Sequence, residues 1–321
     1  MIDVIKNKLS GIDIKPISEV SLDTIDALFA KEPFPIFEHS SYHVLSYLSY
    51  ESKVFFLAGE FGQTILVLRD DNFFLFSPLV KDDKEFNQFI ECFFEQFNYK
   101  KLLIQNISQF WLDSFVNDPI FSIWNLEVHP RSKEEVVYDV ELLTELKGKE
   151  FAKLRNTRNK FLNKVMHFNA VNSSNLEDVL TVLENWQRYQ GFKYSKNRYE
   201  KEQFSLRKFA EYFAGLDRFC FEVGYVEEVP LCIVAMHKNN NNVDFGTLYI
   251  IKGLNKSEAG GIHGISDAAY CYCFKKAKEM GLKYLNDGEL GHEEGTRQHK
   301  LRFKPVQFLK SYDVVIGRKN L

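Results

Sequence analysis

The feature that most constrains the fold is an order of strand and helix signals that occurs twice along the 321 residues. In the first half, three short strands separated by tight turns span Val54–Phe76, and a helix with a phenylalanine-rich face follows at Glu85–Phe97. In the second half, three strands span Phe219–Ile251 and a helix follows at Ser266–Met280. Strands joined by tight turns pair antiparallel, so each half is expected to form a sheet flanked by helices.

The length and one polar segment indicate two domains. A chain of 321 residues exceeds what one hydrophobic core usually supports. Val128–Glu135 is polar and contains Pro130, which favours a linker. We therefore expect an N-terminal domain over residues 1–132 and a C-terminal domain, which carries the site, over residues 133–321.

Several classes of protein are excluded by what the sequence lacks. It has no apolar run near the roughly 20 residues of a membrane-spanning helix. The five cysteines show no metal-ligand spacing, which is typical of buried thiols in a reducing compartment and predicts a cytoplasmic protein without a metal site. Motifs for nucleophile elbows, phosphate loops, zinc proteases and dinucleotide binding are absent, which argues against hydrolases, P-loop enzymes and dehydrogenases.

Positive charge is concentrated in a predicted helix over Lys147–Lys164, which carries seven lysines and arginines against one glutamate. Arg158 falls within the apolar stripe of this helix, where a guanidinium needs a carboxylate, carbonyl groups or a phosphate as its partner. We interpret this helix as a phosphate-contacting surface. The alternative is a solvated charged face.

A glycine-rich turn, Gly260–Gly264, opens the helix that begins near Ser266. Glycines allow close approach of a ligand to the backbone, and a helix N-terminus presents unpaired N–H groups. This arrangement suits a phosphate or a developing oxyanion. The alternative is an ordinary strand-to-helix turn.

The segment Tyr284–Pro305 is dense in glycines and ionisable side chains and follows a short predicted strand, Lys283–Leu285. Functional loops of open α/β sheets lie at the carboxyl ends of strands, which favours a functional segment over a charged surface loop.

Two motifs of the second half resemble those of the phosphatidylglycerol lysyltransferase C-terminal domain family. The opening motif runs from Tyr138-Asp139-Val140 through Glu145–Lys149 to Arg155-Asn156 and Asn159-Lys160-Phe161. The closing motif comprises Asn286, Glu289-Leu290-Gly291, Gly295, Arg297, Lys300, Phe303 and Pro305. The family usually has Asp where this chain has Glu289, and Leu where it has Thr296.

The resemblance implies an α/β (α+β) fold of tandem GNAT-like domains, each with a mixed, mostly antiparallel central sheet flanked by helices. It also implies an acyltransferase that moves an aminoacyl group from aminoacyl-tRNA to an amine or hydroxyl acceptor, either a lipid such as phosphatidylglycerol or a small molecule. An acyl-CoA-dependent GNAT N-acyltransferase and a catalytically inactive GNAT-fold binding module are the alternatives. Acetyl-CoA enzymes of this fold have an Arg or Gln before the glycine turn; its absence here favours another donor.

Aminoacyl transfer requires a bound donor, a stabilised oxyanion and removal of a proton from the acceptor. For catalysis we assign Glu289 or Asp244 to the acceptor proton, and Lys300 to the donor's phosphates, so that its loss should weaken donor binding with little effect on folding. The donor and phosphate contacts are Arg155, Arg158, Lys160, Gly261, Gly264, Ser266, Arg297 and Lys300. The acceptor pocket comprises Asn286, Asp287, Gly291 and Tyr249. No tightly bound cofactor or metal is expected. The two cationic segments, one around Arg155 and the other around Lys300, should flank one cleft.

Overall fold

A computed structural model describes residues 12–319, apart from residues 31, 33, 49–51, 61, 70–71, 77–78, 81–82, 98–100, 118, 163–165, 191–195, 214, 240–243, 256–259 and 292. The chain forms two compact units, one of residues 1–135 with 308–321 and the other of residues 136–307. The sequence analysis placed the boundary at 132/133 and all of 133–321 in the second domain. The structure differs, because the last strand belongs to the first unit.

The predicted linker Val128–Glu135 lies inside a strand, Trp124–Asp139. Trp124, Leu126 and Val128 are at least partly buried, whereas the residues between them are exposed. This alternation is typical of a strand with one buried face. Pro130 and the polar residues of the exposed face concealed that pattern in the sequence.

The first unit is a sheet of short strands with helices packed against it. Its strands are β1 Asp13–Pro16, β2 Ser52–Gly59, β3 Gly62–Arg69, β4 Asn72–Phe76, β5 Leu79–Val80, β6 Lys101–Ser108, the first part of β7 Trp124–Asp139, and β13 Gln307–Arg318. Its helices are α1 Leu22–Ala27, α2 Ser41–Ser46, α3 Asp83–Phe97 and α4 Gln109–Asn117.

The strand order in this unit is β1-β2-β3-β4-β6-β13. Neighbours pair antiparallel except β4 and β6, which are parallel. The phenylalanine-rich face of α3 is buried in the core, as its periodicity predicts: Phe89, Ile90, Phe93 and Phe94 are at most 4% exposed.

The second unit repeats the plan. Its strands are the end of β7, β8 Met166–Ala170, β9 Phe219–Val226, β10 Val229–Lys238, β11 Phe245–Gly253 and β12 Tyr284–Glu289. Its helices are α5 Val140–Glu145, α6 Ala152–Phe161, α7 Leu176–Gln190, α8 Lys196–Phe213, α9 Ile265–Glu279 and α10 Glu294–Leu301.

The strand order in this unit is β7-β12-β11-β10-β9-β8. The strands β8 to β11 pair antiparallel, and β11 pairs parallel with β12. Each unit therefore has an antiparallel meander, a crossover helix and a parallel strand. This arrangement confirms the predicted duplicated α/β plan, with a mixed and mostly antiparallel sheet in each unit.

The predicted basic helix over Lys147–Lys164 is shorter in the structure. Leu146 ends α5 in the left-handed conformation and Gly148 has a φ of 100°, so the chain turns before α6 begins at Ala152. The basic residues before Ala152 lie in this connection, and Lys164 is outside the described residues. No helix among the described residues has both the length and the apolar composition needed to cross a membrane.

Candidate functional site

The central feature of the second unit is the place where β11 and β12 stop pairing. Their parallel register has three pairs, the last of which joins Thr247 to Asn286. Just beyond it the pairing of β11 with β10 skips Tyr249, which forms a β-bulge. We call the place beyond this last pair, next to the bulge, the gap between β11 and β12.

A buried carboxylate, Asp287, lies on β12 at the start of this gap and joins four elements. Its Oδ2 accepts hydrogen bonds from the hydroxyls of Tyr270 on α9 at 2.9 Å and Tyr138 on β7 at 3.3 Å. Lys300 on α10 places its Nζ 3.3 Å from the same oxygen and donates to the Asp287 carbonyl at 2.5 Å. We call Tyr138, Tyr270, Asp287 and Lys300 the Asp287 cluster.

Burial dominates the electrostatics of the Asp287 cluster. It raises the pKa of Asp287 above its usual value, although Lys300 and the two tyrosines oppose that shift. Burial also raises the pKa of both tyrosine hydroxyls well above the usual value, so they remain donors. Because the side chain of Lys300 is only 13% exposed, its ammonium is committed to Asp287. Lys300 therefore stabilises β12 in this structure, whereas the sequence analysis predicted that it binds the donor's phosphates.

The glycine turn before α9 is shaped by close contacts. A Cβ at Gly261 would lie 1.9 Å from the carbonyl oxygen of Leu254, which accepts a hydrogen bond from the Ile262 N–H. Gly264 has a φ of 93° and is the N-cap of α9. The sequence analysis explained these glycines by close approach of a ligand; at both positions the structure shows a requirement of the protein's own backbone.

The amides of this turn are largely engaged within the protein. The N–H of Ser266 donates to the Asn255 side chain at 3.2 Å, and the Ser266 hydroxyl also bonds to Asn255. In the first turn of α9, the carboxylate of Asp267 forms an ion pair with Arg302. An acidic side chain thus occupies the position at the helix N-terminus that favours an anion.

The predicted phosphate contacts of α6 have other partners. Arg158 donates from Nη1 to the Thr144 carbonyl at 2.8 Å, and Arg155 donates to the carbonyls of Leu146 and Gly148. These carbonyls lie at the end of α5, where backbone acceptors lack helical partners. Arg155 and Arg158 therefore cap α5. Of the three partners that the sequence analysis named for Arg158, the structure shows a carbonyl group. Lys160 is exposed, with its ammonium 4.9 Å from the centre of the Phe161 ring.

Both cationic segments nevertheless lie beside the first half of α9. Thr157 and Phe161 of α6 are the nearest side chains to Gly264. Arg158 and Arg302 both act on the Cys271 thiol, whose pKa is raised to about 12 chiefly by burial and is lowered in part by these two charges. The two segments are thus neighbours along α9, and the cleft between them stays a prediction.

An open pocket of about 600 Å³ lies along α10 and the turn that follows it, and we call it the α10 pocket. Its lining consists of Gly295, Gln298, His299, Leu301, Arg302 and Lys304. The Nδ1 of His299 lies 2.9 Å from Arg302 Nη2 and 3.6 Å from Asp267 Oδ1. Burial lowers the pKa of His299 to about 4; Asp267 opposes this shift, whereas Arg302 and Lys300 add to it.

The lowered pKa of His299 predicts acid sensitivity. Between about pH 4 and 6.5 the unfolded chain binds a proton at His299 that the folded chain excludes, so stability falls as pH falls through this range. We expect His299→Gln to remove this dependence, which amounts to about 3 kcal/mol at most. Urea unfolding of both proteins at intervals from pH 4 to 7.5 measures it. Curves that stay parallel across this range would show that His299 titrates normally.

Three further predicted residues, Asp244, Glu289 and Arg297, are not part of the Asp287 cluster. Asp244 pairs with Lys283 at 2.7 Å at the amino end of β12, away from Glu289, so the structure does not bring the two candidate bases together. Glu289 ends β12 and is half-buried. Arg297 is exposed on α10.

The predicted acceptor residues surround the gap. Asn286 is fully buried and accepts a hydrogen bond from the Gly288 N–H at 2.8 Å, which kinks β12. Gly291 follows with a φ of 87°. Tyr249, at the bulge, shares a 3.2 Å hydrogen bond with Nδ1 of His237. The sequence analysis missed His237, His299, Arg302 and Asp267; a carboxylate in the first turn of a helix that follows a glycine turn was the available signal for Asp267.

Similar folds occur in several solved structures. A protein of unknown function from Bacteroides thetaiotaomicron matches with a TM-score of 0.75 and 16% identity, over 95% of this chain and all of that one. The L-PGS protein of Bacillus licheniformis matches with a TM-score of 0.60 and 16% identity, over 94% and 93% of the two chains. A tandem GNAT protein of the clavulanic acid biosynthesis pathway matches with a TM-score of 0.50 and 6% identity, over 97% and 99%. These likenesses establish the tandem GNAT fold.

No curated protein sequence matches the chain. The family model described as "Phosphatidylglycerol lysyltransferase, C-terminal" matches residues 45–315. That match includes both motifs by which the sequence resembles the family, and the fold agrees with it. The chain therefore belongs to the phosphatidylglycerol lysyltransferase C-terminal family and is an acyl- or aminoacyltransferase.

Proposed function

We propose that the protein transfers an aminoacyl group from an aminoacyl-tRNA to an amine or hydroxyl acceptor in the gap between β11 and β12. The observation that carries this proposal is the occupied N-terminus of α9. Acetyl-CoA enzymes of the fold use this turn for their donor, but here the Ser266 N–H is bonded to Asn255 and the first turn of α9 carries the acid Asp267. A CoA pyrophosphate would meet a carboxylate and amides that are already bonded.

The chemistry needs few groups from the protein. The acceptor nitrogen or oxygen attacks the ester carbonyl carbon, a bond forms between them, and the ester bond to the ribose oxygen breaks. The acceptor's proton goes to Glu289 at the end of β12, which passes it to the departing ribose oxygen, so Glu289 ends ionised as it began. Backbone N–H groups at the bulge around Tyr249 stabilise the oxyanion, while the gap holds the two reactants together.

The Asp287 cluster has a positioning role in this proposal. It fixes β12 against β7, α9 and α10, so Glu289, two residues further on, projects from a rigid strand. The acceptor is a lipid head group such as that of phosphatidylglycerol, or a small amine. The family description, which names transfer of a lysyl group to phosphatidylglycerol, supports the lipid.

A donor panel tests the proposal. Labelled aminoacyl-tRNAs and labelled acyl-CoAs are incubated with the protein, phosphatidylglycerol vesicles and a cell extract, and new labelled products are separated. We expect label to move from one or a few aminoacyl-tRNAs. Transfer from acyl-CoA alone would replace the proposal with an N-acyltransferase, and binding of donor without any product would replace it with a binding module.

A further inference from the structure

The α10 pocket is lined by hydrogen-bond donors that the proposed reaction does not use. A guanidinium has only donors, so at 2.9 Å from Arg302 the Nδ1 of His299 must accept. The ring is therefore neutral, and its proton is on Nε2. His299 consequently offers an N–H donor, and its side chain is 28% exposed.

Arg302 contributes a second donor. Asp267 holds its Nη2, and its Nε is buried and has no hydrogen-bond partner among the described residues. Because Nε is buried, an anion in the pocket can accept from it only when the Arg302 side chain shifts, and such a shift would give this donor its missing partner.

Charge on this side of α10 is unevenly distributed. The acids Glu293 and Glu294 lie at its amino end, where they complement the helix dipole. Beyond them, exposed Arg297 is on the helix and exposed Lys304 follows it, and Lys304 lines the pocket. Past these acids, the helix and the turn after it thus present two exposed cations, Arg297 and Lys304, near the N–H donors of His299 and Arg302, and this composition binds phosphate.

We propose that the α10 pocket binds a backbone phosphodiester of the donor RNA, close to its aminoacylated end. This rests on the proposed function and names the group that docks the donor. RNA is favoured over a lipid because exposed Arg297, which is not part of the pocket lining, continues the positive surface from Lys304 at the pocket, as a polyanion needs. The pocket is also large enough for a nucleotide.

Binding of an uncharged, fluorescently labelled RNA hairpin with a single-stranded CCA end tests the pocket without catalysis. We expect Lys304→Gln and His299→Leu each to raise Kd about three- to tenfold, and Lys304→Gln to lower the salt slope by about 0.7–1. Inorganic phosphate should compete at constant ionic strength. Lys275→Gln on α9 is the matched control, because it removes one exposed charge about 12 Å along the helix from Asp267.

The possible results distinguish a failure of the pocket assignment from a failure of the proposed function. Equal Kd values for the wild type, Lys304→Gln and His299→Leu would overturn the pocket assignment, whatever the transfer activity. Binding of phosphatidylglycerol vesicles that these substitutions weaken, with RNA binding unaffected, would assign the pocket to lipid and overturn the RNA assignment. RNA binding that depends on the pocket, without transfer to any acceptor, would uphold the pocket and reject the proposed function.

Discussion

Replacing Lys300 by alanine is expected to lower the free energy of unfolding by about 3–5 kcal/mol, because it leaves the carboxylate of Asp287 buried without its cation. Asp287 is 9% exposed, and among the described residues its carboxylate keeps the two tyrosine hydroxyls as partners in that variant. Urea unfolding at pH 7.5 measures the loss. Arg297→Ala is the control, since Arg297 is exposed on the same helix and its loss should change stability by less than about 0.5 kcal/mol.

The pH dependence of the stability of Lys300→Ala tests whether the unpaired carboxylate of Asp287 causes the loss. Burial already raises the pKa of Asp287, and loss of Lys300 removes the charge that opposes this shift. A raised folded-state pKa means that stability is present at low pH and is lost as pH rises through that pKa. The deficit of Lys300→Ala relative to the wild type should therefore shrink as pH falls toward 4. A deficit that is small at pH 7.5, or that does not change with pH, would contradict the assigned role of Lys300.

Glu289→Gln is expected to lower kcat by about 100- to 10,000-fold, because the amide cannot accept the acceptor's proton. The KM for the donor should change little, since Glu289 acts on the acceptor. Glu289→Asp should keep much of the activity, because aspartate is the usual residue of the family at this position. Steady-state kinetics with the donor found by the panel give both constants.

Glu293→Gln controls for the general loss of a carboxylate near α10, because Glu293 is exposed just before that helix. Its kcat should remain within about twofold of the wild type. Full activity of Glu289→Gln would remove Glu289 from the mechanism, whereas a rise in KM alone would assign it to binding.

The order of the elements could be predicted because it depends on local signals. Turn residues separated the strands of both meanders, and the phenylalanine face of α3 determined its orientation. Gly281, which follows the predicted end of α9 at Met280, has a φ of 77°, as is common just after a helix C-terminus. The strand Trp124–Asp139 was missed, because the residues of its exposed face are polar and the segment contains the proline that suggested a linker.

Side-chain partners could not be predicted, because they depend on contacts between distant segments. Asp287 and Lys300 were placed in separate roles from the sequence, but their pairing depends on how α10 packs beside β12. Arg158 was identified as a residue that needs a partner and Arg155 as a phosphate contact, but only the turn at Leu146 brings the carbonyls of α5 to them. The sequence thus located the segments of the site but not the partners within them.

The most direct test of the central claim follows one labelled aminoacyl group from RNA to acceptor in a single turnover. The wild type, in excess over a charged RNA, is mixed with vesicles of phosphatidylglycerol or with a small amine, and label on the RNA and on the acceptor is counted over time. We predict that label leaves the RNA and appears on the acceptor at the same rate, and that Glu289→Gln retains it on the RNA. Label that stays on every aminoacylated RNA while an acyl-CoA donates its acyl group to the same acceptor would contradict the account.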